Sequence, residues 1–99
     1  MEELLGDIQD EYDLLPLHVL RSGDGWLSGG GASIQRLRSV TGLDFPTEDA
    51  AQNLNHWMEG QLGHLPLGGD VVRVGNVKIV VRKVRRQRVL EAFIQRVNG

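Results

Sequence analysis

The chain contains no cysteine. Disulfides, thiolate zinc sites and thiol nucleophiles are therefore excluded together. Aromatic residues make up only 5% of the sequence, so stacked-base recognition has little to work with. No apolar run approaches the roughly 20 residues that span a bilayer. The opening Met1-Glu2-Glu3 lacks the basic n-region of a secretory signal. The lack of thiols fits a reducing cytoplasm.

Catalytic signatures are missing as well. His18, His56 and His64 are scattered, with no ligand spacing among them. Ser22, Ser28, Ser33 and Ser39 have no nucleophile-elbow context. The run Ser28-Gly29-Gly30-Gly31-Ala32-Ser33 precedes a helix but lacks the Gly-Lys-Ser/Thr end of a phosphate loop, and it reads as a flexible joint. No catalytic, cofactor-binding or metal-ligating residue is nominated, and no cofactor is expected.

What remains is the material of one small domain: 99 residues, 24% charged, with a net charge of −2. The charge is divided unevenly. Glu2, Glu3, Asp7, Asp10, Glu11 and Asp13 make the N-terminus acidic. Arg73, Lys78, Arg82, Lys83, Arg85, Arg86, Arg88 and Arg96 make the last third basic, against Glu91 alone.

Residues 1–12 have helical periodicity, with Leu4, Leu5, Ile8 and Tyr12 on one face and acids on the other. That stripe must bury against something, in a neighbouring unit or a second copy, so a homodimer is one of the partners considered. Leu15-Pro16 ends the helix. Residues 17–22 and Trp26-Leu27 predict a hairpin about Ser22-Gly23-Asp24-Gly25. Ser33 should cap a helix carrying Ile34, Leu37 and Val40, with Gly42 as its stop. Thr47 in Pro46-Thr47-Glu48-Asp49 should cap a second, with Ala51, Leu54, Trp57, Met58 and Leu62 inward and Gly63 as its stop. Val71–Val74, Gly75-Asn76 and Val77–Val84 predict another hairpin, and Arg85-Arg86-Gln87 turns into a strand over 88–97. The order predicts an α+β fold, a mostly antiparallel sheet of about five strands with two to three helices.

The basic hairpin Arg82, Lys83, Arg85, Arg86 and Arg88 is the sharpest signal. It reads as edge protection or as a docking surface for an acidic partner. Nucleic-acid binding is the weaker alternative, because only Phe93 lies near to stack a base, and no nucleic-acid partner is expected.

Several segments, taken in order, resemble the CorC/HlyC-type transporter-associated domain. Residues 2–13 are similar to the acidic helix that closes the preceding CBS-domain pair. Asp24-Gly25-Trp26-Leu27 is similar to the domain's entry. Residues 41–49 and 61–70 follow its Gly-Leu-Asp-x-Pro-x-Glu-Asp and Leu-Gly-x-x-Pro-x-x-Gly-Asp patterns. The resemblance implies a division into a trailing helix, 1–13, and the domain proper, 14–99. It implies the fold shared with part of a flavin-binding domain, without flavin-binding residues. It also implies a non-catalytic, cytoplasmic regulatory domain of a cell-membrane protein for magnesium or cobalt efflux. Such a domain meets the membrane only indirectly, through the parent chain. The implied partners are the CBS pair and membrane module of the same parent, met through Leu4, Leu5, Ile8 and Tyr12 or through the basic hairpin. A small-ligand sensor, for a nucleotide or a divalent cation, is the alternative role. Two departures stand out: Gly29-Gly30-Gly31 replaces a polar segment, and Arg85-Arg86-Gln87 lacks the glycine common at that turn.

Overall fold

The computed structural model describes residues 15–97. The acidic segment with Leu4, Leu5, Ile8 and Tyr12 lies outside them. Strands β1 (Val19–Ser22) and β2 (Gly25–Gly29) are followed by helices α1 (Ile34–Thr41) and α2 (Leu54–Leu62). Then come β3 (Val71–Val74), β4 (Val77–Arg85) and β5 (Arg88–Arg96). They form one five-stranded sheet in the order β1-β2-β5-β4-β3, antiparallel throughout. The expected α+β architecture is the observed one.

Two-residue turns connect each hairpin. Gly23 and Gly75 open the first two with φ of 59° each, a conformation that costs glycine nothing. The third uses Arg86 and Gln87 at φ 53° and 64°. Side chains with a Cβ are strained in this region. Gln87→Gly should relieve that strain and raise stability by about 0.5–1 kcal/mol, read as a higher urea midpoint at unchanged m-value.

Both helices cover one face of the sheet. Ile34, Leu37, Leu54, Trp57 and Met58 pack there against Val72, Val77, Ile79, Val81, Val89, Ala92 and Ile94. The α1 stripe is Ile34, Leu37 and Thr41, not the expected Val40, which is 46% exposed. Thr41 survives burial because its hydroxyl donates to the Leu37 carbonyl at 2.6 Å and accepts from the Leu43 amide at 3.1 Å.

The start of α2 also departs from expectation. Its cap is Asn53, whose side chain accepts from the His56 amide at 2.8 Å. Thr47 instead closes a local turn, accepting from the Asp49 amide and the Gln52 side chain, and Ala51 is exposed. The reason is a reciprocal arrangement of the two helix N-termini. Ile34 N–H donates to the Gln52 carbonyl and Gln35 N–H to that of Ala50. Leu54 N–H donates to the Ala32 carbonyl and Asn55 N–H to that of Gly30. The segment leading into each helix thus satisfies the other helix's orphan donors, and α2 begins where that pairing permits.

The glycine run is not the flexible joint expected. Gly29, Gly30 and Gly31 sit where another backbone passes in contact. A Cβ there would meet the carbonyl oxygens of Pro16 at 2.1 Å, Val89 at 1.8 Å and Leu15 at 2.6 Å, respectively. Only glycine allows the approach.

Candidate docking surface

The sheet face away from the helices is built by strand register. Leu20 pairs with Leu27, Leu27 with Phe93, Phe93 with Val80 and Val80 with Val71. Directly paired residues share a face, so these five side chains form one apolar row across all five strands. Leu20 and Val71 at its ends are 58% and 46% exposed, while Leu27, Val80 and Phe93 are half-buried. The Phe93 ring overlies Gly25, where an added Cβ would fall 2.5 Å from its tip.

Polar residues flank the row. On one side, Arg73 pairs with Lys78 and Lys78 with Gln95. The Gln95 amide donates to the Asp24 carboxylate at 3.3 Å. On the other side, Lys83 pairs with Glu91, whose carboxylate meets His18 Nε2 at 3.2 Å.

The five predicted basic residues all lie on the turn end of the β4–β5 hairpin. The register shifts on either side of Lys83 leave Arg82 and Leu90 without ladder partners. Arg82, Lys83, Arg85 and Arg86 are exposed and Arg88 is half-buried. Arg85 lies directly opposite Arg88.

The two family-like loops are structural. Gly42 and Gly63 terminate α1 and α2 in the left-handed conformation, at φ 72° and 76°. The Arg38 guanidinium donates to the Phe45 and Thr47 carbonyls, and Trp57 Nε1 to the Pro46 carbonyl at 3.0 Å. Phe45 meets Trp57 edge to face, centroids 5.6 Å apart. In the second loop the Asp70 carboxylate accepts from the Leu67 amide at 2.9 Å, and Gly69 N–H donates to the Val81 carbonyl. Both motifs thus fasten loops to the core.

This frame of turns, caps and strand order is matched by a family model, the CorC_HlyC transporter associated domain, over residues 20–98. The chain belongs to that family. A curated relative, UPF0053 protein MT1890 of Mycobacterium tuberculosis (strain CDC 1551 / Oshkosh), is 31% identical over 74 residues, which is 75% of this chain. The chain spans only 16% of that relative's length. Solved transporter associated domains share the fold. The region associated with a candidate Mg2+ and Co2+ transporter (CorC) from Neisseria meningitidis MC58 superposes with a TM-score of 0.70 at 22% identity, covering 80% of this chain and 98% of that one. The domain of a CBS domain protein from Porphyromonas gingivalis gives 0.67 at 20%, covering 81% and 98%. The domain of a Xylella fastidiosa Temecula1 hemolysin, solved with Mg2+ and Mn2+, gives 0.66 at 24%, covering 83% and 99%. Among the described residues of the present transporter associated domain, no helix is long and apolar enough to cross a membrane, and no three His, Asp or Glu side chains group as metal ligands.

Sequence reasoning found the basic hairpin but not the apolar row. Its signal was present in the alternation of Lys78, Val80 and Arg82 against Val77, Ile79 and Val81. Only the register shows that Val80 belongs to an apolar row that continues across all five strands.

Proposed function

We propose that this transporter associated domain is a non-catalytic regulatory module of a membrane protein that exports divalent metal ions of the magnesium and cobalt type. It acts on the cytoplasmic side by protein–protein contact. Residues 1–13 join it to a CBS pair, and residues 14–99 form the module itself. Arg82, Lys83, Arg85, Arg86 and Arg88 dock against an acidic surface of the CBS pair or the membrane module. Leu4, Leu5, Ile8 and Tyr12 form the face of the interdomain helix.

The observation that carries this reading is the family match over 20–98. The Neisseria and Porphyromonas relatives, associated respectively with a candidate transporter and a CBS protein, supply the context. The exposed cations Arg82, Lys83, Arg85 and Arg86 at the β4–β5 end are the chemistry of a surface that docks against an acidic partner. Deleting residues 14–99 from the parent protein should change its rate of metal efflux or the regulation of that rate. Unaltered efflux together with unaltered assembly would overturn the proposal.

A divalent-cation sensor is the second reading, favoured by the Xylella relative. A thermal-shift titration with MgCl2 and MnCl2 separates the two. A ligand held at ten times its Kd adds about 1.4 kcal/mol to stability. That would appear as a rise of about 6–11 °C in a domain of this size. Contact-based regulation predicts no such rise.

A further inference from the structure

We propose that the outer face of the sheet is a contact between two copies of this chain, stacked face to face about a two-fold axis that runs along β5 at Phe93. Such a contact is independent of the transport reading.

The row Leu20–Leu27–Phe93–Val80–Val71 crosses all five strands, and both its ends are exposed. Phe93 stands at its middle, on β5, the central strand of the order β1-β2-β5-β4-β3. A two-fold axis along β5 lays the row on itself end for end. Leu20 then lies over Val71 of the second copy, Leu27 over Val80, and Phe93 over Phe93. The strands of the two sheets run in the same direction, which is aligned packing at about 10 Å. Five strands by three side-chain rows cover about 500 Å² per copy, or about 1,000 Å² in all, the lower bound for a specific interface. The dimer should therefore dissociate on dilution.

Charge selects this orientation. One flank of the row carries, from the β1–β2 turn to β3, Asp24, Gln95, Lys78 and Arg73. Reversed end for end, its two cations meet Asp24 of the second copy. Asp24 is exposed, and a carboxylate that accepts one bond from Gln95 keeps lone pairs for more. The other flank holds Lys83 opposite Glu91, with His18 on that carboxylate. Glu91 of both copies comes near the axis, each between the Lys83 of its own copy and that of the other. An axis along the row would instead exchange the flanks. It would set Lys78 over Lys83 of the second copy, since both lie on β4. Opposite charges across an interface favour the first arrangement, and like charges oppose the second.

The test is sedimentation equilibrium of the whole chain from micromolar to millimolar concentration, beside charge-reversed variants. The expected result is a monomer–dimer equilibrium. On dilution the amide signals of Leu27, Val80 and Phe93 should shift, with Gln35 and Ser39 on α1 unmoved. Lys78→Glu and Asp24→Lys should each raise the dimer dissociation constant at least tenfold. Combined, they should return it to within about threefold of wild type, because the pair is exchanged and not lost. A variant that merely unfolds would show no such rescue. A monomer at every concentration would overturn the proposal. So would a dimer indifferent to both changes, or one that their combination fails to restore, since the contact would then lie elsewhere on the chain.

Discussion

Gly30→Ala should remove most of this domain's stability. The new Cβ would fall 1.8 Å from the Val89 carbonyl oxygen, a backbone atom with nowhere to go. To admit it, β2 must part from β5. That breaks the Gly30 N–H bond to the Leu90 carbonyl and the Asn55 N–H bond to the Gly30 carbonyl. Overpacking a core costs about 1–3 kcal/mol, and more where backbone must move. Two hydrogen bonds add about 1 kcal/mol each. A domain of this length has on the order of 5–15 kcal/mol in all, so a loss of about 3–5 kcal/mol leaves it near its unfolding midpoint in mild urea. Gly60→Ala is the control. Gly60 lies within α2, and nothing stands within 4 Å of an added Cβ. Helix propensity alone then operates, and the same chemical change should stabilise by about 0.8–1 kcal/mol. Opposite signs at positions 30 and 60 are the expected result, measured by urea denaturation.

Asn55→Ala should cost about 3 kcal/mol. Asn55 is 1% exposed, yet it is polar. Its side-chain oxygen accepts from the Val89 amide at 2.7 Å, and its side-chain nitrogen donates to Glu59 at 3.2 Å. The Val89 amide needs this partner because the ladder shifts register on either side of Lys83, just before β4 reaches Val84 opposite Val89. Removing the acceptor leaves a buried N–H unpaired, worth about 1–3 kcal/mol, and lost packing at a buried site adds to it. Amide hydrogen exchange gives the specific readout. In the variant, Val89 should exchange faster than neighbouring β5 amides such as Ala92, beyond what the global loss of stability explains.

These two residues show where sequence reading stops. The turns and helix ends were legible, because each rests on local chemistry. Gly42 and Gly63 take the left-handed conformation that a helix end favours, and Ser33 caps α1 as its hydroxyl suggests. The hairpins at Gly23-Asp24 and Gly75-Asn76 were legible for the same reason. Where a neighbour distant in sequence decides, the reading failed. Thr47 has the chemistry of a cap, but Asn53 holds the place, where the Ala32 and Gly30 carbonyls ahead of α1 accept from Leu54 and Asn55 N–H. The glycine run has the composition of a joint, because its need for glycine comes from the distant backbones of residues 15, 16 and 89. The basic cluster was plain in composition. The row from Leu20 to Val71 depends on register, which sequence periodicity does not supply.

Charge placement makes a trade-off visible. Arg85 faces Arg88, so Arg85→Glu would set opposite charges across the strands, which favours pairing. If the cluster exists for docking, that same change weakens binding. Docking at the β4–β5 end, as proposed, is read out by a single titration. The protein is titrated with the CBS pair of its parent at two salt concentrations, beside the Arg82→Glu, Arg85→Glu, Arg86→Glu variant. Docking there should give saturable binding that weakens with salt and falls at least tenfold in the variant, whose fold is retained. Equal affinity for wild type and variant, or no binding at low salt, would contradict it.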